Sequence, residues 1–386
     1  MRTVTAAWAW TGAELIRWPN IRVAEDGRVL ALASGAEDGA TGILLPGLIN
    51  AHAHLELSGL RGQVPGDGDM LAWVQRLFGL RQGPDAAAMR AAIAELSASG
   101  TAAVLDVSNT GAPFPHLVEA AAAPTGWLRA RLQLELLAFT DAGFEEGRRR
   151  QQALPQDAGV TSVLTPHSVH ALSEGVLRRW AAERRPGEPT PTLHCDECPA
   201  DRELIAQGTG PWAALLDRWD RPWRGALASG RSEVDALQRL GLLGPDLGLV
   251  HLLAADAADL DLIAAAGAPV VLCPRSNLHI HGRLPDAAAM VRRGIPLALG
   301  TDSLASNADL DLLAEAATLR AAASAIDPSV WLRALTLGGA ALFGDPELGV
   351  LRPGARPGLL LVHIPPTDDP IATLLDGTRW PRSWLA

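Results

Sequence analysis

Histidines and carboxylates recur in this chain where short apolar runs stop. His52 and His54 close ILLPGLINAHAH, His167 and His170 fall in TPHSVH, and His194 stands three residues before Glu197 in LHCDE. His251 ends LGLVH, Arg275, Ser276 and Asn277 follow VVLCP, and Asp302 and Ser303 follow LALGT. The i, i+2 spacing of His52 and His54 puts both imidazoles on one side of an extended strand. Two such nitrogens suit zinc or iron. A third histidine and an aspartate from other strand ends would make three nitrogens and one oxygen with positions left for water, the pattern of a catalytic metal rather than a structural one. A metal so held brings the pKa of its water from about 15.7 toward about 7, which makes a nucleophile near neutral pH.

Other reactive residues point elsewhere or nowhere. Cys195 and Cys198 form a C-x-x-C, but Cys273 is the one remaining cysteine. That is too few for a zinc ribbon or a disulfide framework, so the thiols read as small buried groups beside a site built from other residues. The chain contains no lysine. Schiff-base chemistry and a carbamylated-lysine metal bridge are therefore excluded. Any anionic part of a substrate must be met by arginine, histidine or backbone amides.

These residues need a scaffold that brings distant strand ends together. From about residue 44 to 344, eight apolar runs alternate with segments of helical spacing such as DAAAMRAAIAELSAS and EVDALQRLGLL. The runs are nearly continuous in Val, Leu, Ile and Ala, as in parallel strands covered on both faces. Strand and helix repeated eight times predict a (β/α)8 barrel, in which the C-terminal strand ends converge on one mouth. An open doubly wound sheet is the alternative, but no G-x-G-x-x-G follows an early strand. Residues 1–43 and 345–386 show short β-like runs with Gly/Pro turns, and they are expected to pair into one small β-sandwich.

The whole-chain properties set limits. At 386 residues the chain can bury a large core, and its net charge of −10 argues against a nucleic-acid partner. No apolar run approaches the roughly 20 residues that span a bilayer, and MRTVTAAWAWTGAELIRW lacks a signal-peptide centre. The expected location is cytoplasmic.

LLPGLINAHAHLELSGL, LHCDE, LVHL, LCPRSNLHI and LGTDSLASN occur in this order. Together they resemble the cytosine/adenosine-deaminase-like (TRZ/ATZ-type) branch of the amidohydrolase superfamily, over essentially the whole chain. The resemblance implies that His52, His54, His194 and Asp302 bind one divalent metal, zinc or alternatively iron. It implies that Glu197 shuttles protons and that His251 orients the attacking water. Asp302 and Glu197 would divide base and acid work, and His251 would stabilise the tetrahedral intermediate. Two-metal branches normally use the bridging lysine that is missing here. Homodimers are common in the family.

Within the branch, His54-Leu55-Glu56-Leu57-Ser58 resembles the aminofutalosine deaminases of the alternative menaquinone pathway. S-adenosylhomocysteine and methylthioadenosine deaminases usually carry a methionine after H-x-H and a later Trp-Pro-x-Glu, where this chain has DMLAWVQRLFGLR. The implied substrate is the nucleoside 6-amino-6-deoxyfutalosine, whose benzoate needs apolar surface and a cation. Trp73 and Phe78 are candidates for the aromatic wall, Arg61, Arg76 or Arg81 for the cation, and Glu56, His170 and Ser303 for further contacts. Another hydrolase of the same fold remains the alternative: a methylthioadenosine, S-adenosylhomocysteine or guanine deaminase, or a chlorohydrolase.

Overall fold

The computed structural model describes residues 1–37, 39–123, 128–155, 159–185 and 187–385. Five short strands open the chain: β1 (Arg2–Thr5), β2 (Trp8–Trp10), β3 (Leu15–Arg17), β4 (Pro19–Val23) and β5 (Val29–Ser34). β6 (Ile43–Pro46) follows, and at the far end of the chain Leu359–Val362 and Arg382–Trp384 add two more strands. β1, β4 and β5 form one antiparallel sheet. A second sheet joins the two ends of the chain in the order Arg382–Trp384, Leu359–Val362, β6, β2, β3.

The pleat explains how this second sheet serves two cores. Along β6, Leu44 packs with Val4, Ile21 and Val29 of the three-stranded sheet, whereas Ile43 and Leu45 turn to the large core on the opposite side.

The apolar run read as one first strand is in fact two. Gly47 divides it, with its N–H donating to Pro357 O and Gly358 O at 3.2 and 3.0 Å. A Cβ there would lie 2.3 Å from the Cβ of Ala102, so only glycine lets the chain pass from one sheet to the next. The boundary expected at residue 43 therefore falls at the start of a strand belonging to the terminal sheet.

After Gly47 the eight anticipated runs contribute β7 (Leu48–Ala53), β8 (Thr101–Ser108), β9 (Arg129–Leu136), β10 (Val160–Pro166), β11 (Thr192–Cys195), β12 (Gly248–His251), β13 (Val270–Leu272) and β14 (Leu297–Leu299). β7 to β10 form one four-stranded parallel sheet in sequence order, and β11 to β14 form another. Single parallel bridges, Ser168 to His194 and Ala53 to Asp302, link the two sheets at both seams. Helices follow the strands, many started by an aspartate or serine that caps the first free N–H groups, as Asp69 does for Leu71 and Ala72. β7, β8 and β12 are buried along their whole length, which is why their sequences do not alternate.

Candidate active site

The strand ends bring the separated polar residues together. His54 Nε2 lies 3.1 Å from His52 Nε2 and 3.4 Å from His194 Nε2. Asp302 Oδ1 approaches His54 Nε2 at 3.6 Å and His52 Nε2 at 3.9 Å. Two strands cross closely to achieve this, since Thr301 and Asp302 both donate their N–H to His52 O at 3.0 Å. A Cβ on Gly300 would sit 2.7 Å from both the Cβ and the O of His52. Asp302 holds φ +57° and His251 φ +76°, a strained region for residues other than glycine.

The donor set fits a small divalent cation. Ligands about 2.0–2.1 Å from a tetrahedral ion stand about 3.3 Å from one another, close to the distances from His54 Nε2 to the Nε2 atoms of His52 and His194. His194 Nδ1 lies 2.9 Å from His167 O, a carbonyl that only an N–H can satisfy. The proton is therefore on Nδ1, and the Nε2 lone pair faces the centre. Burial, reinforced by the imidazoles of His54 and His194, pushes the His52 pKa well down and keeps it neutral, as metal binding would require. Burial also opposes charge on His194, but Glu135 and Glu197 outweigh it and raise its pKa, so the local field favours positive charge at this spot.

Glu197 and His251 flank the centre. His251 Nε2 lies 3.7 Å from Glu197 Oε1, and His281 Nε2 lies 3.3 Å from the same oxygen. Burial resists ionisation of Glu197, but His251 and the hydrogen bond from His281 prevail and hold its carboxyl well below the usual range. Asn277 Nδ2 is 3.2 Å from His251 Nδ1. Asn277 and His281 are one turn apart on the helix Pro274–His281, so a single helix supports both residues of the pair. On the other oxygen of Asp302, Ser276 Oγ donates at 2.5 Å and Ser306 Oγ at 3.2 Å.

A cavity of about 490 Å³ rises from this centre, walled by Trp73, Leu77, Phe139, Trp212 and Leu216 among others. Trp73, Arg81, His170, Glu56 and Ser303 all line it, and Phe78 stands at its exposed rim. Glu56 is fully engaged by Ser108 Oγ at 2.6 Å, Thr110 Oγ1 at 2.7 Å and Arg81 Nη2 at 2.6 Å, so it steadies a loop and an arginine. His170 donates from Nδ1 to Glu233 Oε1 at 2.8 Å. Burial disfavours its charge, but Glu233 and Asp201 raise its pKa to about 9, so the ring is cationic at neutral pH.

Some expected contacts lie elsewhere. Arg61 pairs with Glu95, and Arg76 pairs with Asp67 at 2.8 Å, both outside the cavity. Arg275 turns away to Asp309 at 2.5 Å. The three thiols are buried and free, and burial raises their pKa values, which leaves them unreactive. Glu135, Asp201, Glu233, His281 and Arg221 escaped the sequence reading. The i, i+4 offset of Asn277 and His281 was the available signal for the last histidine.

Residues 43–379 match the Amidohydrolase family. The chain belongs to that family. Like its other members, this amidohydrolase is a metal-dependent hydrolytic enzyme. It is 30% identical over 368 residues to the 5-methylthioadenosine/S-adenosylhomocysteine deaminase of Syntrophobacter fumaroxidans, covering 87% of this chain and 77% of that one. It is 29% identical over 332 residues to the aminodeoxyfutalosine deaminase of Deinococcus radiodurans, covering 80% and 75%. In fold it is similar to the aminofutalosine deaminase of Helicobacter pylori crystallised with methylthio-coformycin, with a TM-score of 0.82 at 19% identity over 97% of this chain and 95% of that one. Among the described residues, no helix of this amidohydrolase is long and apolar enough to cross a membrane.

Proposed function

We propose that this amidohydrolase deaminates an adenine nucleoside, converting 6-amino-6-deoxyfutalosine to futalosine and ammonia in menaquinone synthesis. The observation that carries the deaminase reading is the convergence of three imidazole Nε2 atoms and Asp302 Oδ1 beneath an apolar cavity, with Glu197 and His251 beside them. We read the two parallel sheets, bridged at both seams, as one (β/α)8 barrel, and the two chain ends as a composite β-sandwich packed on it.

His52, His54, His194 and Asp302 are the residues that hold the ion, and their nitrogen-rich set suits zinc. The bound ion supplies a water of lowered pKa as nucleophile. Glu197, ionised at rest, takes a proton as water adds to C6 of the purine and passes one to the adjacent ring nitrogen. His251 donates to the oxygen that gains charge, and Asp302 accepts the second water proton and passes it to the amine. Protonation of the amine lets ammonia leave, and the products are hypoxanthine nucleoside and ammonia.

The HLELS stretch and the aromatic, partly exposed mouth of the cavity favour the futalosine analogue. The 30% identity to a methylthioadenosine/S-adenosylhomocysteine deaminase favours a second reading with those substrates. Ammonia release by metal-replete protein from 6-amino-6-deoxyfutalosine, S-adenosylhomocysteine, methylthioadenosine, adenosine, guanine and cytosine decides between them. Preference for the first supports the assignment, and preference for the second or third replaces the substrate while keeping the chemistry. Silence from all six in metal-loaded protein would overturn the deaminase reading.

A further inference from the structure

The rim of the cavity combines exposed apolar surface with an exposed arginine. Phe78, Leu137 and Trp219 are 52%, 45% and 38% exposed, and all three line the mouth. Phe78 lies on the helix Met70–Leu80, and Trp219 follows the helix Pro211–Arg218. Their rings meet edge to face at 5.4 Å, which leaves an aromatic step open to the cavity. Arg221 lies two residues beyond Trp219, exposed and also lining the mouth. Its turn is pinned, because Arg221 N donates to Leu216 O at 2.9 Å and Trp223 Nε1 to Asp217 Oδ1 at 2.8 Å.

Among the described residues, the Arg221 guanidinium has no ion pair or hydrogen bond. Arg81, the other arginine lining the cavity, is committed to Glu56 at 2.6 Å. Every carboxylate that lines the cavity is buried, so none reaches this rim. Among the residues that line the cavity, the rim thus offers an aromatic surface and one positive charge, while the lining acids lie buried deeper.

We propose that Arg221 is a specificity-determining residue that binds a carboxylate on an aromatic arm of the nucleoside, with the arm lying against Phe78 and Trp219. This rests on the deaminase reading above, which places the purine at the histidines and sends the sugar substituent outward. An uncharged alkylthio arm leaves Arg221 unused.

The test is kcat/KM for 6-amino-6-deoxyfutalosine and for its methyl ester, measured on wild type, Arg221→Met and Arg221→Lys. The acid-to-ester ratio is internal to each protein, so differences in folding or metal loading cancel. Wild type is expected to favour the acid by about tenfold, the size of one charge-assisted hydrogen-bond pair at a solvated rim. The preference should fall to near parity in Arg221→Met and return in part in Arg221→Lys. Deamination of both compounds with no preference in wild type, or with a preference that Arg221→Met keeps, overturns the Arg221 assignment alone. Turnover of neither compound, with methylthioadenosine deaminated, overturns the substrate reading and this inference with it.

Discussion

Ser276 Oγ lies 2.5 Å from Asp302 Oδ2, the carboxylate oxygen opposite the one that faces His52 and His54. The hydroxyl donates and fixes which oxygen remains for the centre. Orienting partners of this kind typically matter 10–100-fold in affinity or activity. Ser276→Ala should therefore lower divalent-metal affinity and kcat by about tenfold each while leaving the fold intact, as measured by metal titration and steady-state rates.

Gly300 tests the packing behind the same centre. An added methyl would stand 2.7 Å from the His52 Cβ and O, atoms of the backbone and its first side-chain carbon rather than a flexible side-chain end. Gly300→Ala should lose about 1–3 kcal/mol of stability, as overpacked cores do. Its metal content should fall in parallel. A variant with wild-type melting and full metal would refute the close-approach argument.

The pairing of His281 with Glu197 makes a prediction about pH. The carboxyl of Glu197 is depressed because His251 and His281 overcome its burial. Removing one of these partners should let that pKa rise, so the acid limb of kcat/KM moves to higher pH in His281→Ala. Glu197→Gln, by contrast, should retain metal and lose at least about a hundredfold in turnover at every pH.

His170 and Glu233 bear on stability instead. The imidazole is raised from 6.5 to about 9 in the fold, against the effect of burial, by Glu233 and Asp201. A raised pKa means that the folded state holds the proton more tightly than the unfolded chain. The contribution is thus complete below about pH 6.5 and is lost as pH climbs through about 9. It amounts to on the order of 3 kcal/mol. Thermal denaturation between these limits should show wild type losing stability with rising pH, and His170→Gln should flatten that slope.

What could be read without coordinates was whatever the backbone repeats. The apolar runs ended where the strands end, so His52, His54, His194, His251 and Asp302 could be grouped, and they do meet. Glu135 was hidden because it lies within the apolar run that forms β9, its carboxyl turned toward His194. Asp201, Glu233 and Arg221 belong to the long β11-to-β12 segment, whose three helices pack by contacts that no periodicity encodes. Arg61 and Arg76 were plausible by type alone, and nearby acids Glu95 and Asp67 claim them at the surface.

The bridge between Ala53 and Asp302 joins the first and last of the eight parallel strands, nearly 250 residues apart in sequence. Donors from both strands stand at that seam, so an ion gripped there holds beginning and end together like a clasp. Part of its binding energy would then go into joining the two sheets at this seam. A chain cut before residue 302 would carry all three imidazoles and still have nothing to fasten. On the proposed barrel, metal affinity is therefore also a gauge of whether the two sheets have closed on each other.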